Sequence, residues 1–223
     1  MVNSIIRAEN ISKTFDGKYW VLKDISLDIQ KGDFVSILGA SGSGKSTLLS
    51  ILGGMDIPTE GKVYIEKEEI TGLKEDRLAK LRRTKIGFVF QFFNLAPYLT
   101  VEENILLPII LSGKKIKDVK ARLEYLLEYL GIEKYRSQMP SKISGGEQQR
   151  VAIARGLIFE PNIIFLDEPT GNLDSASSKS IMELLAKINK ELETTIVQVT
   201  HSMENAKYGN KIIKIFDGKI IQE

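Results

Sequence analysis

The segment from residue 34 to 52 constrains this chain more than any other. Phe34-Val35-Ser36-Ile37-Leu38 is an apolar run of strand length, and Gly39-Ala40-Ser41-Gly42-Ser43-Gly44-Lys45-Ser46 fits the pattern G-x-x-x-x-G-K-[ST]. Thr47 to Leu52 then continues in helical composition. The glycines let the backbone curl so that successive N–H groups face phosphate oxygens. The helix start adds the equivalent of about half a positive charge. Lys45 supplies a point charge for the β- and γ-phosphates, and the Ser46 hydroxyl suits Mg²⁺, a hard ion that prefers oxygen. Gly39, Ser41, Gly42, Ser43, Gly44, Lys45, Ser46 and Thr47 are therefore expected to bind phosphate. The competing reading is a Gly/Ser-rich turn that merely caps a helix.

Composition narrows the rest. The chain has 223 residues, 43% of them hydrophobic, enough for one domain with a subdomain. Lys+Arg 31 against Asp+Glu 29 leaves +2, so no nucleic-acid partner is expected, although a local anion site is still allowed. The absence of cysteine excludes disulfides, thiolate metal sites and thiol nucleophiles, and fits the cytoplasm. The longest apolar stretch, Ile105 to Leu111, contains Pro108 and falls far short of the ~20 residues that span a bilayer. The start, MVNSIIRAENISK, lacks an apolar core, so no secretory leader is expected.

Along the chain, the first third reads as strands. Ile25 to Ile29 alternates as a half-buried strand does, and Lys62 to Ile65 is a further short one. Gly87 to Phe90 reads as a buried strand. Thr100-Val101-Glu102-Glu103 is a capping box that opens a helix. Ile116, Val119, Leu123, Leu126, Leu127 and Leu130 recur at helical spacing before Gly131. Ile163 to Leu166 is a continuous apolar strand, Ile181 to Leu192 an amphipathic helix, Thr195 to Val199 a strand, and Lys211 to Ile221 a pair of short strands around Asp217-Gly218. Apolar strands between helices imply an α/β fold with a mostly parallel sheet covered on both faces. Residues 1–91 and 158–223 read as the core with an added N-terminal antiparallel sheet, and 92–157 as an inserted helical subdomain, all within one domain spanning 1–223.

Ile163-Ile164-Phe165-Leu166-Asp167-Glu168 ends a strand in two acids, and ligands of open α/β sheets gather at such strand ends. Side chains alternate along a strand, so the two carboxylates must divide their labour. Asp167 is the candidate Mg²⁺ holder. Glu168 is the candidate for polarising an attacking water, a contribution of typically ~10²–10⁴-fold.

Ser144-Gly145-Gly146-Glu147-Gln148, followed by Gln149-Arg150-Val151-Ala152-Ile153-Ala154-Arg155, resembles the signature motif of ATP-binding-cassette (ABC) ATPases. The resemblance covers essentially the whole chain. It implies a P-loop NTPase core of ABC type and hydrolysis of ATP with Mg²⁺. Gln91 matches the Q-loop glutamine, a Mg²⁺ ligand alongside Ser46 and Asp167. Asn172-Leu173-Asp174 resembles the D-loop. His201, the chain's one histidine, matches the H-switch residue that contacts the γ-phosphate and the attacking water. Phe15 stands where the family has an aromatic residue that stacks on adenine, with Tyr19 and Trp20 as rivals. The catalytic set implied is Glu168, His201 and Lys45.

Ser144-x-x-Glu147 is itself a capping box, and a helix start bearing glycines and a hydroxyl is a second anion site. The family resolves the doubling with a head-to-tail dimer. Each ATP lies between the phosphate loop of one copy and Ser144, Gly145, Gly146 and Glu147 of the other. Ile143 replaces the usual Leu, Glu147 a common Gln, and Phe15 a common Tyr; residues 171–174 differ from the usual D-loop opening.

The stretch around Gln91-Phe92-Phe93-Asn94-Leu95, with Leu99 to Ile105, resembles the branch of lipoprotein-releasing, macrolide- or peptide-exporting and cell-division ATPases. The resemblance implies a separate transmembrane permease subunit that meets the chain near Gln91–Leu95 and ties it to the cytoplasmic face of the membrane. Phe92 and Phe93 are the expected anchors, unless they pack within the helical subdomain. A soluble single-cassette ATPase of an iron–sulfur assembly pathway is the alternative.

Overall fold

The computed structural model describes residues 4–222, so the outermost residues of the single domain expected over 1–223 lie outside the described residues. Strand β1 (Ser4–Thr14) pairs antiparallel with β2 (Trp20–Gln30). Ile25, Leu27 and Ile29 of β2 are buried while Ser26 and Asp28 are not, the alternation a one-sided sheet requires. β1 shifts register between Ala8 and Ile11, where Asn10 takes φ 51°. Strands β4 (Glu60–Ile65) and β5 (Glu68–Glu69) complete a sheet of order β2-β1-β4-β5.

The second sheet is built on β3 (Phe34–Leu38), whose five residues are all buried. Its other strands are β6 (Ile86–Val89), β7 (Ile163–Asp167), β8 (Thr195–Thr200), β9 (Lys211–Phe216) and β10 (Lys219–Gln222). The order is β10-β9-β3-β8-β7-β6, parallel except for β10 on β9. Helix α1 (Lys45–Leu52) follows β3 through the glycine loop.

The apolar runs of the central strands serve two cores at once. On β7, Ile163 and Phe165 join one core with Ile6, Ile29, Leu48 and Leu52, beneath the antiparallel sheet. Ile164 and Leu166 face the opposite way, into a second core. That core takes in helices α3 (Val101–Leu111), α4 (Lys120–Tyr129), α5 (Gly145–Leu157) and α6 (Ser175–Leu192), through Ile105, Leu127, Val151 and Leu185. The helical segment shares its core with one face of the parallel sheet, so helix movements there bear directly on β7 and β8.

Two stretches differ from the sequence expectation. Helix α2 (Glu75–Lys85) fills a stretch to which the sequence reading gave no element. It buries only Leu78 and Leu81, too few for a visible period, but Glu75 and Asp76 open it and Arg82, Arg83 and Lys85 close it, complementing its dipole. The helix read from Ile116 to Leu130 is broken: Ile116–Asp118 is a 3-10 turn, Val119 has φ −120° and ψ 6°, and α4 begins at Lys120. Ile116 is exposed, so the first apolar position of that period does not reach the core.

Helix α3 begins with the expected capping box, Thr100 Oγ1 accepting from Glu103 N–H at 3.2 Å while Glu103 accepts from Thr100 N–H at 2.8 Å. One turn on, Asn104 is fully buried. Its Oδ1 accepts from Ala96 N–H at 2.7 Å, and its Nδ2 lies 3.0–3.1 Å from the carbonyls of Ala96, Leu99 and Thr100. This one amide pins the loop from 96 to 100 onto α3. Arg136 joins the same region to α4 through a bidentate pair with Glu124 (2.6 and 2.8 Å) and a bond to Glu102. Asn104→Ala leaves several buried backbone groups unpaired and should cost about 3 kcal/mol. A fall in the urea midpoint at unchanged slope is the expected result.

Candidate functional site

The glycine loop and the strand ends of β7 and β8 enclose an open cavity of about 720 Å³. Its lining includes Ser41, Gly42, Gly44, Lys45, Ser46 and Thr47 from the loop and α1, together with Gln91, Asp167, Glu168, His201, Phe15 and Val21. Gly44 caps α1 with φ 97°. A Cβ there would stand 2.8 Å from both Leu22 Cδ2 and the Val21 carbonyl oxygen, so glycine is required twice over. The first helical bond runs from Leu48 N–H to the Gly44 carbonyl, at 2.9 Å. The N–H groups of Lys45, Ser46 and Thr47 precede it, and Gly44 has no side chain with which to cap them. These uncapped donors suit phosphate oxygens.

Lys45 is buried, and its Nζ donates to the Ala40 carbonyl at 2.8 Å, which holds the ammonium over the loop with two protons to spare. Gly39 and Ser43 do not line the cavity. A Cβ on Gly39 would meet Ser43 Oγ at 2.6 Å. Ser43 Oγ is buried without a hydrogen-bond partner.

Asp167 is the last residue of β7, and its Oδ1 accepts from Ser46 Oγ at 2.8 Å. Glu168 leaves the strand in a left-handed conformation, φ 46°, held by its N–H donating to the Val199 carbonyl at 3.1 Å. The bend turns its carboxylate away from Asp167, to within 3.0 Å of His201 Nδ1. The Glu168 side chain is only 15% exposed, against 67% for His201. Shielding strengthens the polarising power of the carboxylate. Gln91 stands two residues beyond the end of β6. Its carbonyl accepts from Asn172 Nδ2 at 2.9 Å, which ties the Q-loop to the D-loop.

Of the three aromatics in contention for a base, Phe15 lines the cavity, and Tyr19 and Trp20 do not. Phe15 is 69% exposed, and Lys13 Nζ lies 4.9 Å from its ring centroid.

Ser144, Gly145, Gly146 and Glu147 lie at the start of α5 and contribute nothing to this cavity. Their capping box is formed: Glu147 accepts from Ser144 N–H at 2.7 Å, and Ser144 Oγ from Glu147 N–H at 3.4 Å. Burial pushes the Glu147 carboxyl up, but hydrogen bonds from Tyr135 and Ser144 outweigh it and hold the group below the usual carboxylate range. The negative charge therefore stays on at neutral pH and is spent on capping. Gly146 lies against Ser177, and Gly145 against Leu173. Asp174 caps α6, accepting from Ser177 Oγ at 2.6 Å and Ser177 N–H at 2.9 Å, and these bonds hold its carboxyl below the usual range.

The two phenylalanines beyond Gln91 part company. Phe92 is 72% exposed, whereas Phe93, at φ 59°, packs against the core of the helical segment. Of the two expected anchors, Phe92 is exposed and Phe93 takes the other course, packing with the helical segment. Arg155, met in the sequence only as part of a motif, donates to the carbonyls of Phe93 (2.7 Å) and Asn94 (2.5 Å) and locks that turn to α5. Burial lowers its pKa.

The ABC transporter family model matches residues 22–171. The chain belongs to the ABC transporter family. It is an ATPase cassette of that family. It is 54% identical to the lipoprotein-releasing system ATP-binding protein LolD of Aquifex aeolicus, over 98% of this chain and 97% of that protein. It is 45% identical to the macrolide export ATP-binding/permease protein MacB of Neisseria meningitidis serogroup A, over 99% of this chain but only 34% of MacB. The solved dimer of the cassette MJ0796, from Methanocaldococcus jannaschii, bound to ADP and Pi, superposes with a TM-score of 0.88 at 44% identity, covering 97% of each chain.

Lys45→Ala should weaken ATP binding roughly tenfold to a hundredfold, since one charge-assisted contact to phosphate is lost. Titration with a fluorescent ATP analogue measures it, and unchanged affinity would remove the glycine loop from the site.

Proposed function

We propose that this chain is the ATP-driven subunit of an exporter or mechanotransmission system of the lipoprotein-releasing and macrolide-exporting kind, working as a head-to-tail pair beneath a separate permease. The observation that carries the reading is a separation. Lys45, Ser46, Asp167, Glu168 and His201 share one cavity, while the second anion-binding helix start, at Ser144, lies outside it. A second copy, turned to face the first, supplies the missing wall. The dimeric MJ0796 structures and the LolD and MacB relatives support the pairing and the permease over an iron–sulfur assembly role.

The donor set fits Mg²⁺ in a particular way. Among the described residues no three His, Cys, Asp or Glu side chains cluster as a metal site. The Ser46 hydroxyl, the Asp167 carboxylate and the Gln91 amide give hard oxygen donors in the cavity, suited to an ion that keeps waters and leans on nucleotide phosphates. When bound, such an ion neutralises charge on the β- and γ-phosphates.

Phe15 stacks on the base, and the uncapped N–H groups of α1 with Lys45 cradle the phosphates. Ser144 and Gly146 of the second copy close the site. Glu168 accepts a proton from water aligned with the γ-phosphate, and His201 steadies that carboxylate and the transferring group. Hydrolysis removes the ligand shared by the two copies, and the pair opens. The permease reads the change at the Q-loop, where Phe92 projects from a turn that Arg155 fastens to α5.

Glu168→Gln should bind ATP with unchanged affinity, hydrolyse it at least about a hundredfold more slowly and accumulate as a dimer on size exclusion with ATP. A fully active monomer would contradict the composite site. Phe92→Ala should leave the melting point unchanged and reduce stimulation by the permease. Phe93→Ala should instead destabilise the fold by about 2 kcal/mol, because its ring fills core space. Equal effects on stability would cancel the distinction.

A further inference from the structure

The turn after Glu168 is gripped from several sides. From α5, Gln149 Nε2 donates to the Pro169 carbonyl at 2.7 Å. From helix α7 (Met203–Ala206), just beyond His201, Asn205 Nδ2 donates to Thr170 Oγ1 at 2.8 Å. The Asn205 carbonyl accepts in turn from Gln198 Nε2 at 3.0 Å, and that amide also reaches Ser36 Oγ, at 2.8 Å, on the strand before the glycine loop.

Gln149 stands out among these. It is fully buried, and its Oε1 has no partner. A buried amide with its oxygen unpaired costs stability; a methionine would remove that cost but leave the buried Pro169 carbonyl without its donor, so the two changes largely offset. Stability therefore does not account for the residue. Its one bond does something geometric instead. Pro169 directly follows Glu168, and Glu168 sits in a left-handed conformation that a non-glycine residue keeps only when its surroundings enforce it.

We infer that Gln149 is a positioning residue for ATP cleavage: its hydrogen bond from α5 to the Pro169 carbonyl fixes the bend that aims Glu168. The inference rests on the reading of Glu168 as the proton acceptor and of Ser144–Gly146 as the wall lent to the other copy. Gln149 lies about 8 Å along α5 from Ser144. A shift of α5 when its start meets the partner's nucleotide thus reaches the carboxylate of its own site through one bond. Gln149 carries the cooperation between the two sites of the pair.

The test measures ATP hydrolysis and thermal melting of Gln149→Met beside the parent and Glu168→Gln. Expected are a kcat about tenfold lower, a KM for ATP within about twofold and a Hill coefficient falling towards one. The melting midpoint should stay within about 3 °C of the parent's. Gln149→Glu adds a pH signature. A buried neutral carboxylic acid can donate to the Pro169 carbonyl and its anion cannot, so this variant should regain rate at low pH and lose it as pH rises. Should Gln149→Met not fold, Gln149→Glu carries the test by itself, its rate at low pH set against its own rate at high pH, and a rate that keeps the parent's pH profile overturns the inference. An unchanged kcat, or a loss matched by an equal loss of stability, overturns the inference. If the parent does not hydrolyse ATP, or Glu168→Gln stays active, the reading beneath it fails as well; if both controls behave and Gln149→Met keeps full rate, this inference alone falls.

Discussion

The parallel pairing of β3, β8 and β7 is the constraint on which the rest depends. Leu38 stands opposite Thr200, and Val199 opposite Asp167, so three chain segments leave the sheet together at the C-terminal ends of neighbouring strands. The glycine loop, Glu168 and His201 are neighbours because of that register and for no local reason. A slip of one residue in β7 would exchange the two faces of the strand, move Phe165 into the wrong core and turn Asp167 away from Ser46. The register is held by burial on both faces, and the polar side chains buried between β8 and β3, Gln198 and Ser36, are paired at 2.8 Å.

The same double burial makes the helical segment part of the machine rather than an appendage. Its leucines and isoleucines pack on the face of the sheet that carries Ile164, Leu166 and Ile196. At its borders the contacts turn polar: Asn104 holds the loop before α3, Arg155 holds the turn after Gln91, and Asn172 holds the Gln91 carbonyl. Apolar packing resists separation but permits sliding, whereas each of these hydrogen bonds fixes a direction. Together they fix the helical segment to the sheet and to the turn at Gln91.

Much of the site could be read from the sequence because its chemistry is local. A glycine loop between a strand and a helix, two acids ending an apolar strand, and a capping box that opens a helix each depend on residues within a dozen positions. Helix α2 escaped notice because it buries only Leu78 and Leu81 and is otherwise charged. The period from Ile116 overran the true start of α4 because Ile116 points into solvent, which spacing alone cannot reveal. Phe92 and Phe93 are identical as letters. Only the left-handed backbone at Phe93 decides which ring turns inward.

By itself, the sequence determined the phosphate loop, the strand carrying Asp167 and Glu168, the helix start at Ser144 and the family to which these motifs point. Those features follow from residue type at short separation, where backbone geometry leaves few choices. The tertiary structure alone decided that Ser144 lies outside the cavity of its own chain, that Phe15 rather than Tyr19 lines it, and that Gln149 reaches the Pro169 carbonyl twenty residues away. Those outcomes depend on how sheets and helices are stacked, and a side chain's partner across a fold is set by packing, which local propensity does not encode.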